Sequence, residues 1–168
     1  MPKLLSLSRA LLKKQSWRIP QLRSGRRLPN NRHCRLQVAK ISPDWRAFKR
    51  HVDARLLSVV QPDVAKWGGV SGALAVGQHA LANGAGCTLH YMGTAVGLAT
   101  SLHTLAAIGG EGRVELDFNP NPLRTDLGAI DLVPVAGFLS LPEGTGIGFE
   151  PDPMALERFA IATLDIKK

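Results

Sequence analysis

The sequence predicts an α/β fold of parallel strands joined by helical crossovers, and three observations carry that prediction. Short apolar runs alternate with small-residue helical stretches, the links between them are short, and each run ends in a polar residue. Alternation of this kind gives parallel strands, because a helix returns the chain to the same edge of the sheet.

The elements follow in order from Ser42. Ser42-Pro43-Asp44 reads as a helix start, with a capping hydroxyl, Pro at the first helical position and an acid in the first turn. Trp45, Phe48, Val52 and Leu56 then recur at helical spacing and form one apolar stripe. Leu57-Ser58-Val59-Val60-Gln61 is a buried strand that stops at Pro62-Asp63. Gly68-Gly69 turns the chain into a helix from Val70 to Ala82, closed by Asn83-Gly84. Cys87-Thr88-Leu89-His90-Tyr91 is the second strand. A helix from Gly93 to Ile108 ends at Gly109-Gly110, and Arg113-Val114-Glu115-Leu116-Asp117 is the third strand. Asp63, His90 and Glu115 stand at or near the C-terminal ends of the three strands. In a (β/α) barrel those ends form one rim, where catalytic groups collect. Taken singly, Asp63 reads as a turn cap and His90 as a satisfied core or surface histidine, and Glu115 alone says almost nothing. Their recurrence at three strand ends is what points to a pocket.

Charge divides the chain into residues 1–41 and 42–168. The chain has 168 residues and a formal charge of +8, but Met1 to Ile41 holds 11 Lys+Arg and no Asp or Glu. Ser42 to Lys168 holds 10 Lys+Arg against 13 Asp+Glu, so the basic balance belongs to the first stretch alone. That stretch is expected to be irregular or helical. Three readings compete for it: a transit peptide opening on Leu4-Leu5-Ser6-Leu7, an arm for phosphates or an anionic membrane, or an extension without an evolved partner. Trp17 is its only aromatic residue, which argues against stacking on nucleic-acid bases. No apolar run approaches the ~20 residues of a membrane span. Cys34 and Cys87 lack ligand spacing, so neither a zinc site nor a disulfide framework is expected, and a cytoplasmic setting fits.

Gln61-Pro62-Asp63 through Gly68-Gly69-Val70, His90 through Gly93 and Glu115 through Arg124 resemble motifs of the enolase superfamily, specifically its mandelate racemase/muconate lactonizing enzyme-like members. Gln61-Pro62-Asp63-Val64-Ala65-Lys66-Trp67-Gly68-Gly69-Val70 resembles their sixth-strand signature, and His90-Tyr91-Met92-Gly93 their seventh strand. Glu115-Leu116-Asp117-Phe118-Asn119-Pro120-Asn121-Pro122-Leu123-Arg124 resembles the eighth strand of sugar-acid-type members. Leu139-Ser140-Leu141-Pro142 through Glu150-Pro151-Asp152 resembles their closing segment. The resemblance implies a partial (β/α) TIM-type barrel, comprising about its last three strands, their helices and the closing segment.

It also implies a chemistry. A Mg²⁺-bound acid sugar loses the proton α to its carboxylate, in a dehydratase, cycloisomerase or racemase reaction of the lyase/isomerase type. By position, His90 is then the general base or acid, Asp63 orients its imidazole, and Glu115 hydrogen-bonds the developing ene-diolate. Lys66 and Tyr91 are the substrate-binding candidates, Lys66 with the alternative of supporting the turn. The family's metal ligands lie on the third to fifth strands and a second Lys on the second, so Mg²⁺ ligands are expected to be absent from this chain. A complete barrel needs about 250 residues, and the chain alone is expected to be inactive. Self-association, or assembly with a separate N-terminal half, is the corresponding expectation for partners. Where the family's fifth strand ends in a Gly-Glu-Asn-type segment, this chain reads Val38-Ala39-Lys40-Ile41. One coding of that tetrapeptide contains Gly-Glu-Asn in a shifted frame, so residues 1–41 are expected to be a frame-shifted stretch. The competing function is a non-catalytic protein whose basic arm engages nucleic acid, membrane or an import receptor.

Overall fold

The computed structural model describes residues 44–109, 112–128, 132 and 134–164. The basic stretch, its proposed frame shift and its reading as a binding arm lie outside the described residues.

Helix α1 spans Trp45–Asp53. Its cap is Asp44, whose Oδ1 accepts the Ala47 N–H at 2.8 Å, and not Ser42, which with Pro43 lies outside the described residues. The helix buries Ala47, Phe48 and Val52, and Arg50 occupies its last turn, where a cation suits the helix dipole. It ends three residues before Leu56. Arg55 adopts a left-handed φ of 55° there, and Leu56 is left 61% exposed instead of completing the stripe.

The chain then enters strand β1 (Val59–Val60), helix α2 (Gly69–Ala82), strand β2 (Gly86–Cys87) and helix α3 (Ala95–Ile108). The strands pair in parallel with Val59 opposite Gly86 and Val60 opposite Cys87. Backbone N–H groups of Gly86, Thr88 and His90 donate to the carbonyls of Ser58, Val60 and Pro62 at 2.7, 3.0 and 3.0 Å. Hydrogen bonding therefore runs past the short ladder as far as His90. The third apolar run is reduced to one parallel bridge, Val114 to Leu89. The three segments are adjacent and parallel in chain order, although regular ladder geometry is confined to two of them.

Short turns set the crossovers. Gly68 and Gly69 have φ of 64° and 61° ahead of α2, and Gly84 (φ 77°) and Gly109 (φ 85°) follow the two helices. These are conformations that a Cβ disfavours. Thr94 caps α3 by accepting the Gly97 N–H at 3.2 Å.

Small residues let the helices approach closely: a Cβ added at Gly77 would stand 2.6 Å from Ile108 Cδ1. The main core joins Phe48 and Val52 of α1, Val60, Cys87 and Leu89 of the strand segments, Ala73, Val76 and Ala80 of α2, and Leu105 and Ile108 of α3. A second cluster holds Tyr91, Leu98, Leu102 and Leu139. The apolar runs by themselves suggest that Val59, Leu89 and Val114 share an inner face that lacks a facing layer, and the structure corrects this. Leu89 and Val114 do not share an inner face with Val59; they pack on the helix side with Val60 and Cys87. Strand alternation puts Val59, Asp63, His90 and Glu115 on the other face.

Short helices α4 (Pro122–Thr125) and α5 (Pro153–Phe159) complete the described elements, each with Pro in the first turn and an Asn121 or Asp152 cap. No helix among the described residues is long and apolar enough to cross a membrane.

Candidate active site

Register is what assembles the site. Two residues beyond the Val60–Cys87 pair, Pro62 stands beside Leu89, and Leu89 bridges Val114. One residue further, Asp63, His90 and Glu115 fall in one cross-strand row, on the face opposite the helices.

Asp63 and His90 are joined directly. Asp63 Oδ2 lies 2.7 Å from His90 Nδ1, with Asp63 4% and His90 6% exposed. The turn after β1 holds the carboxylate in place. Asp63 Oδ1 accepts the Ala65 N–H at 2.8 Å, and the Asp63 carbonyl accepts the N–H groups of Lys66 and Trp67 at 3.2 and 3.0 Å. Lys66 Nζ stands 3.2 Å from Asp63 Oδ2, on a side chain that is 52% exposed.

Burial by itself favours the neutral acid, but the hydrogen bonds from His90, Ala65 and Lys66, with the charge of Lys66, outweigh it. The Asp63 carboxyl is therefore held below its ordinary value. An ionised carboxylate only accepts, so His90 Nδ1 carries a proton and donates it. In the neutral ring, Nε2 then keeps the lone pair that can take up a proton.

Glu115 completes the row from the third segment; it is half-buried, with Oε2 sealed from solvent. Lys66 reaches the row through Asp63 rather than from its own strand. Tyr91 is not brought together with them. Next to His90 in sequence, it points to the opposite face, into the cluster with Leu98, Leu102 and Leu139, and its hydroxyl donates to the carbonyls of Gly93 (2.8 Å) and Thr94 (3.1 Å). Burial pushes its phenol above the ordinary value. Among the candidates, Tyr91 therefore has a supporting place in the fold.

Sequence reasoning did not single out Arg124. Its guanidinium donates to the carbonyls of Asp117 and Asn119 and lies 3.5 Å from the Asp117 carboxylate. Asn121 Nδ2 donates to the Gly93 carbonyl at 3.0 Å, tying this loop to the segment after His90. The Asn-Pro pair at 121–122 signals the cap, but no local pattern signals where Arg124 folds back. Among the described residues, no cluster of three or more His, Cys, Asp or Glu side chains is arranged to hold a metal ion.

The family model of enolase C-terminal domain-like proteins matches residues 21–155, starting inside the acid-free stretch. D-galactarolactone cycloisomerase of Agrobacterium fabrum (strain C58 / ATCC 33970) is 29% identical over 123 residues, covering 68% of this chain and 32% of that protein. A mandelate racemase-type protein of Bordetella bronchiseptica RB50, crystallised with 2-oxoglutarate and phosphate, superposes with a TM-score of 0.72 at 26% identity. That match covers 79% of this chain and 36% of the other. The mandelate racemase/muconate lactonizing enzyme of the same organism gives 0.66 at 38% identity, covering 73% and 35%. The chain spans about a third of the length of these relatives.

Proposed function

The chain belongs to the enolase C-terminal domain-like family, and on that premise we propose that it contributes the proton-transfer face of a partial (β/α) barrel. The reaction is removal of the proton α to the carboxylate of an acid sugar, of the cycloisomerase, dehydratase or racemase kind. The observation that carries this reading is the buried Asp63–His90 hydrogen bond at the C-terminal ends of neighbouring parallel segments.

His90 Nε2 takes the α-proton. Asp63 fixes the ring through Nδ1 and stabilises the imidazolium that forms. Glu115, beside His90 in the row, is placed toward the oxygen that gains charge as the ene-diolate develops, and is a preorganised donor to it when protonated. In the family this charge would be balanced by Mg²⁺, whose ligands are expected on barrel strands other than the three described. Residues 44–164 are therefore the base-bearing part of such a site and inactive as an isolated chain.

The test is a chimera in which residues 44–164 replace the matching third of the Agrobacterium cycloisomerase. In D₂O with Mg²⁺ and D-galactarolactone, the chimera washes deuterium into the α-position, and the isolated chain does not. His90→Asn lowers the exchange rate by about 10²–10⁴-fold. A folded chimera whose exchange is indifferent to His90→Asn refutes the assignment.

A further inference from the structure

The acceptor in the dyad is shared. Asp63 Oδ2 receives His90 Nδ1 at 2.7 Å and Lys66 Nζ at 3.2 Å, while Oδ1 is already taken by the Ala65 N–H at 2.8 Å. Two cationic or potentially cationic donors thus draw on one oxygen of one buried carboxylate. What reaches the imidazole is the negative charge that Lys66 leaves.

We propose that Lys66 is a positioning residue that tunes the base, sharing Asp63 Oδ2 with His90 and so setting how strongly Asp63 polarises the imidazole. The catalytic meaning rests on the reading of His90 as base; the sharing itself does not. The placement is built into the turn. Lys66 follows Asp63 by three residues, its own N–H donates to the Asp63 carbonyl, and Gly68 turns the chain away at a φ of 64°. A Cβ at Gly68 would stand 3.0 Å from Gly72 Cα, so this turn has little room to reshape.

The Lys66 side chain is half in solvent, whereas Asp63 and His90 are buried. Its charge is therefore the one part of the trio that bulk ions reach, and the tuning responds to salt. The groups facing Asp63 are His90 from the second segment, the Ala65 N–H and Lys66 from the turn, and Glu115 across His90 in the row. Lys66 brings the ammonium group among them.

The experiment reads the dyad and not turnover. In ¹H–¹⁵N spectra of the full chain, the His90 Nδ1–H resonance is identified by its loss in His90→Asn. In Lys66→Met it moves downfield, because an unshared carboxylate accepts more strongly, and the Asp63 carboxyl ¹³C titration moves to higher pH. Lys66→Arg keeps the wild-type positions. Salt at about 1 M, where the screening length is about 3 Å, moves the wild-type resonance toward the Lys66→Met position and leaves Lys66→Met unmoved.

An unmoved resonance in a Lys66→Met chain with native circular dichroism overturns the proposal. A wild-type signal indifferent to salt does the same, and that arm needs no variant. So does the absence of an Nδ1–H signal in a folded chain. Deuterium exchange in the chimera is a separate readout: its absence with a shifted resonance refutes the base assignment and leaves the sharing intact.

Discussion

The two oxygens of Asp63 accept from a backbone N–H, an imidazole and an ammonium, and this saturation keeps the carboxyl ionised despite its burial. A carboxyl whose folded value lies below its unfolded one stabilises the native state above the unfolded value of about 3.9. That stabilisation is lost as pH falls through the folded value. Urea unfolding between pH ~5 and ~2 should therefore show a fall in stability that is flatter in Asp63→Asn; identical slopes would show that Asp63 is not protected. Cys87 behaves oppositely. Burial raises its thiol to about 12, so it is neutral and unreactive at ordinary pH. In a Cys34→Ser background, a thiol reagent should label Cys87 only on unfolding, and rapid labelling of the native chain would contradict its burial beside Leu89 and Val60.

At the scale of elements, α2 and α3 meet through Gly77, where Ile108 fills the space a side chain would take. Gly77→Ala should gain up to about 1 kcal/mol of helix propensity but lose about 1–3 kcal/mol to overpacking. The net expectation is a lower midpoint in chemical denaturation, with Ile108→Val restoring part of it; a stabilised Gly77→Ala would mean that the helices are less closely seated. This packing also explains what was legible in the sequence. Gly68-Gly69 before one helix, Gly84 after it and Gly109 after the other marked the crossovers, because left-handed turns favour a residue without Cβ. Strand order and direction followed from the alternation of elements. The facing of Leu89 and Val114 was not legible, since a short apolar run has no inner and outer side until its register is set. The end of α1 was missed because Leu56 continues the apolar spacing, while the left-handed Arg55 breaks the helix without a Gly or Pro to announce it. In the site, His90 and Asp63 were legible as residues at strand ends. The inward turn of Tyr91 was not, because which of two adjacent residues faces the core depends on that same register.

For the whole molecule, the described sheet is narrow. Only β1 and β2 form a ladder, and Val114 joins it through a single bridge. Parallel segments with few neighbours present backbone donors and acceptors to other chains. Sedimentation should accordingly show association that rises with concentration, whereas a monomer melting in one sharp transition would contradict it. Above this scale, proton transfer requires Asp63 and His90 to act as a pair that leaves Nε2 open. The most direct test is the ¹⁵N spectrum of the neutral His90 ring. The geometry predicts a protonated Nδ1 and a bare Nε2, with that preference weakened in Asp63→Asn. A ring protonated at Nε2, or one unaffected by Asp63→Asn, would contradict the claim that this row of residues is a base held ready by its carboxylate.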